Sequence, residues 1–188
     1  MAAHVALPFE ERLLLQLAYE SLFESGGRWP VFQYLDLEGV KEGIAVPHRC
    51  LKGIEAGLIR YEPPLRGATS CRLSVRGIIS ADPSAAVVHR GFLQVVRGLS
   101  DRWGREELLS PAEPQPVLVP ARDLWQPNFG SPTDLRIVGL LLEEESIGSI
   151  EWTADPESPF SVLIDYDIRK LGGAVNIHDY FRIRDSED

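Results

Sequence analysis

Apolar residues recur every three to four positions in some stretches of this chain and alternate in others, and that contrast marks out the expected elements. From Pro8 to Phe23, Leu14, Leu17, Ala18 and Leu22 share a helical face with Leu13 beside them, while Glu10, Glu11, Glu20 and Ser21 mostly fall elsewhere. The acids in the first turn suit the helix dipole, and Gly26-Gly27 supplies a stop. Val31 to Val40 offers a second helical face through Val31, Tyr34 or Leu35, and Leu37. Val46-Pro47 opens a short third helix, with Leu51, Ile54 and Leu58 on one face and His48, Arg49, Lys52 and Glu55 nearer the other. Leu58 to Tyr61 then reads as a strand, Pro63 to Gly67 as a turn, and Cys71 to Val75 as the return strand.

The second half begins with an amphipathic helix from Ala85 to Trp103. Val88, Phe92, Val95 or Val96, Leu99 and Trp103 form its apolar face, and His89, Arg90, Arg97 and Arg102 a solvated one. Pro111, Pro114, Pro116 and Pro120 exclude a regular helix, so a linker is expected near residues 108–116. Val117 to Val119 reads as a short strand, and Ser131-Pro132-Thr133-Asp134 as a helix start before Leu135 to Glu145. Ser149 to Thr153 and Ser161 to Asp165 read as strands about the Asp155 to Pro159 turn, and Asn176 as the cap of a last helix through Tyr180-Phe181.

The helical run from Leu51 to Ala56, the Gly57-Leu58-Ile59 exit, the Pro/Gly turn and Leu73-Ser74-Val75-Arg76-Gly77 together resemble winged helix-turn-helix domains, over about residues 8–82. The segment Asp36-Leu37-Glu38-Gly39 is looser and more acidic than that pattern. The expected fold class is α+β: a winged-helix domain at 8–82, a connecting helix at 84–106, and a small acidic α/β unit at 117–188.

Charge changes this picture locally. The 188 residues carry a net charge of −9, which repels polyanions at long range and disfavours a general nucleic-acid coat or a basic membrane binder. Yet Val46 to Gly77 holds six basic residues against two acidic ones, +4, leaving −13 for the remainder. His48, Arg49 and Lys52 on the third helix and Arg66 and Arg72 on the wing are therefore the candidates for contacting nucleic acid or another anion. The competing reading is a solvated face, or pairing with the acidic C-terminal unit.

Trp125, Phe129 and Trp152 are the candidates for partner contact, each weighed against core packing. The two cysteines, Cys50 and Cys71, are expected to be reduced thiols, since two alone do not make a disulfide scaffold. His48, Cys50 and Cys71 match no zinc spacing, and no metal or cofactor is expected. There is no phosphate-binding loop, dinucleotide fingerprint or nucleophile elbow, and His178-Asp179 lacks an accompanying nucleophile motif. No basic n-region precedes an apolar core, and no apolar run reaches about 18 residues, so a cytoplasmic protein away from membranes is expected.

The first functional reading is a non-enzymatic regulatory or adaptor module that binds a protein partner or itself. The second is a dimeric sequence-specific regulator bound to duplex DNA. A third is a hydrolase with a site between the two units.

Overall fold

A computed structural model describes residues 7–33, 51–61, 68–110 and 115–186. The class is α+β, and the chain divides into two compact units, residues 3–85 and 86–188 apart from the first two residues.

In the first unit, α1 (Phe9–Glu24) leads into β1 (Val31–Gln33), and α2 (Leu51–Glu55) into β2 (Ile59–Tyr61). Next come β3 (Ala68–Leu73) and α3 (Val75–Ala81). The three strands form an antiparallel sheet in the order β1-β3-β2, with Val31 opposite Ser70 and Arg60 opposite Arg72. Leu14, Leu15, Ala18 and Leu22 of α1 are buried, as are Leu58, Ile59, Cys71, Leu73, Val75 and Ile78.

Three expectations change here. Val31 to Gln33 is a strand and not the start of a helix, because β3 supplies hydrogen-bond partners that a short helical pattern cannot anticipate. The return strand ends at Leu73, where the Ser74 hydroxyl accepts from the Gly77 N–H at 3.0 Å and starts α3. The buried face of α1 also includes Glu11, which is only 6% exposed. Its carboxylate accepts hydrogen bonds from the backbone N–H groups of Gly53 at 2.6 Å and Lys52 at 3.4 Å, tying α1 to α2. Glu11→Ala is expected to destabilise the protein by about 1–3 kcal/mol, since it leaves the buried Gly53 N–H without its charged acceptor. Urea denaturation measures this; an unchanged midpoint would mean that the tie carries no stability. The turn expected at Pro63 to Gly67 lies outside the described residues, as do the remainder of the expected second helix from Tyr34 to Val40 and the start of the third.

In the second unit a π-helical turn (Val87–Phe92) runs directly into α4 (Leu93–Leu109). Its apolar face is the expected one: Val88, Phe92, Val95, Val96, Leu99 and Trp103 are all buried. The helix expected to connect two domains packs here against later elements of residues 86–188. Of the expected linker, residues 111–114 lie outside the described residues.

β4 (Val117–Pro120) and α5 (Ala121–Leu124) follow, then α6 (Pro132–Glu144). At the start of α6, Ser131 and Asp134 exchange side-chain and backbone hydrogen bonds in a capping box. β5 (Ser149–Trp152) and β6 (Phe160–Ile164) complete an antiparallel sheet of order β4-β6-β5. Phe160, Val162 and Ile164 alternate inward along the central strand. Two short helices end the unit, α7 (Arg169–Gly172) and α8 (Ile177–Arg184). Asn176 caps α8 by accepting from the N–H groups of His178 and Asp179 at 2.9 and 3.0 Å. Among the described residues, no helix is long and apolar enough to cross a membrane.

Candidate functional site

The anion-binding candidates of the first unit are only partly described. Lys52 is exposed on α2, and Arg72 is half-buried on β3 across from exposed Arg60. His48, Arg49 and Arg66 lie outside the described residues, as does Cys50. Cys71 is buried on β3 as a thiol.

The aromatic candidates fall into two places in the second unit. Trp125 and Phe129 meet edge to face, with ring centroids 5.7 Å apart. The Trp125 ring lies over Gly91 in the π-helical turn, where an added Cβ would stand 3.2 Å from the indole, so the absence of a side chain admits the ring. Trp152 sits on the outer strand β5, packed edge to face on Phe160 with the Arg136 guanidinium 5.5 Å from its ring centroid, and keeps 38% of its surface exposed.

A concave site lies beside the first aromatic pair. A cleft of about 300 Å³ is lined on one side by α4 and on the other by α5 and the loop that follows it. The α4 lining is Gln94, Arg97, Gly98, Asp101, Arg102 and Arg105, a spacing of three or four residues that places all six on one helical stripe. Asp123, Leu124, Gln126 and Phe129 form the facing wall. The Arg97 guanidinium is half-buried and held by two neutral acceptors, the Gln94 side-chain oxygen at 3.3 Å and the Ala174 carbonyl at 3.2 Å. Arg102 approaches Asp123 across the cleft at 3.9 Å, with both side chains more than two-fifths exposed.

The sequence pattern alone reads Arg97 and Arg102 as a solvated face and does not single out the cleft. The signal it does carry is the recurrence of arginine at 97, 102 and 105 on one stripe within an otherwise acidic half of the chain.

Beyond the cleft, Arg169 bridges Asp167 and Glu107, and its hydrogen bond to Asp167 holds that carboxyl below its usual range. His178 is exposed in the first turn of α8. Among the described residues, no group of three His, Cys, Asp or Glu side chains is arranged to hold a metal ion. Comparison with family models, curated proteins and solved structures finds no match to this chain.

Proposed function

We propose that this protein is a non-enzymatic regulatory or adaptor binding module built on a winged-helix scaffold over about residues 8–82, within its first unit. One observation carries the reading: a helix precedes β1, another precedes β2, and the sheet order β1-β3-β2 puts the last strand in the centre. The winged pattern that residues 8–82 resemble is a helix followed by a two-stranded wing, and α2 followed by the antiparallel pair β2 and β3 has that order. The Glu11 tie supports the same reading, since it orients the short helix ahead of β2 against α1. Winged scaffolds serve both protein and DNA binding, so the fold alone does not choose between partners.

A second reading, a dimeric DNA-binding regulator, is favoured by exposed Lys52 and by Arg60 and Arg72 standing directly across two strands. Fluorescence anisotropy with duplex DNA at low salt separates the two readings. The adaptor reading expects no saturable binding. The DNA reading expects binding that weakens in Arg49→Ala and Lys52→Ala, with the salt slope falling by about one for each phosphate that the variant no longer neutralises. A chain that binds no duplex, stays monomeric by light scattering and recovers no partner from lysate overturns both.

A further inference from the structure

We propose that the α4–α5 cleft is a binding site for a small organic oxyanion, a phosphomonoester or a carboxylate carrying a hydroxyl and an apolar body. The argument rests on charge. Residues 86–188 hold ten basic and eighteen acidic side chains, a net charge of −8, yet the cleft gathers three arginines against two aspartates. Among the described residues, neither Arg97 nor Arg105 has an ion-pair partner. Arg97 is half-buried and its hydrogen-bond acceptors are neutral, so part of its hydration has been removed with no carboxylate in contact as a counter-charge, although Asp101 lies one turn along the same stripe. An anion seated beside it supplies that counter-charge.

Arg102 completes the anion-binding side. Its pairing with Asp123 is long and exposed, hence weak, and exchanges readily for a ligand oxyanion. A guanidinium offers a planar fork that matches a carboxylate or phosphate. Asp101 and Asp123 accept hydrogen bonds from a ligand hydroxyl, and buried Leu124 with half-buried Phe129 provides apolar wall. The volume lies at the small end of ligand cavities. The acidic surroundings repel an extended polyanion, which favours a small molecule over nucleic acid. This site lies wholly within residues 86–188 and does not depend on the winged-helix reading.

The test is isothermal titration of the full chain at low ionic strength with adenosine monophosphate, p-hydroxybenzoate and inorganic phosphate. Saturation by the first alone identifies a phosphomonoester site, by the second alone a carboxylate site, and by both a general organic-oxyanion site. Affinity is expected to fall about tenfold or more in Arg97→Gln and Arg105→Gln, and to be retained in Arg182→Gln on α8. Arg105 is exposed, so its variant keeps the test sound if loss of the Arg97 anchor disturbs folding. Saturation by inorganic phosphate alone, by none of the three up to about 10 mM, or with equal affinity in Arg105→Gln overturns the proposal.

Discussion

Gly77→Ala is expected to destabilise this protein by about 3 kcal/mol or more, reversing the usual benefit of alanine inside a helix. An added Cβ at Gly77 would collide with the Leu58 carbonyl oxygen and stand 3.1 Å from its carbon. These are backbone atoms, and they cannot swing aside as a long side chain would. The same carbonyl accepts from the Ser74 N–H at 3.1 Å, while the Ser74 hydroxyl bonds the Gly57 carbonyl and caps α3. Relieving the clash therefore means breaking the joint between the β2 entry and α3. Gly104→Ala is the matched control, because it lies within α4 and an added Cβ there meets nothing within 4 Å. It is expected to stabilise by about 0.5–1 kcal/mol. Chemical denaturation of the two variants decides the matter, and a stabilised Gly77→Ala would overturn the packing argument.

The second large effect sits at Tyr180. Its side chain is fully buried, edge to face with Phe92 at 5.3 Å, and its hydroxyl donates to Glu145 Oε2 at 3.0 Å. Tyr180→Ala is expected to cost about 3–5 kcal/mol through the cavity it leaves. Tyr180→Phe should cost about 1.5–3 kcal/mol, the net value of one hydrogen bond to a charged acceptor.

Burial, and then the neighbouring Glu145 charge, pushes the phenol well above its usual 10.0. In the unfolded chain that phenol ionises near its usual value, while in the folded protein it stays protonated. The unfolded state thus binds fewer protons at high pH, and stability falls as pH rises through about 10, by up to about 1.4 kcal/mol per pH unit. Denaturation from about pH 8 to 11 should show this decline in the wild type and a shallower one in Tyr180→Phe. Parallel curves for the two would show that Tyr180 does not couple to alkaline stability.

Much of the helical architecture was legible from short-range signals. The apolar spacing from Val88 to Trp103, the Ser131 and Asn176 caps and the strands about the Asp155 to Pro159 turn depend on side chains within a few residues of each other. Such features report local periodicity and capping, which neighbouring residues largely set. The strand at Val31 was not legible in this way. Its hydrogen-bond partners come from Ala68 to Ser70, and no local pattern carries information about a pairing that distant.

The candidate site divides along the same line. Lys52, Arg72, Trp125, Phe129 and Trp152 stand out as candidates from their types and positions alone. The α4–α5 cleft could not, because Arg97 looks like any surface arginine until Gln94 and the Ala174 carbonyl, from a segment far along the chain, are seen to hold it. Glu11 reads as a dipole-friendly acid at a helix start and becomes a buried tie when the N–H groups of Lys52 and Gly53 are brought to it. Periodicity, capping and net charge belong to the order of residues. The burial of a charge, the partner it receives and the space beside it arise when segments far apart in the chain remove water from one another.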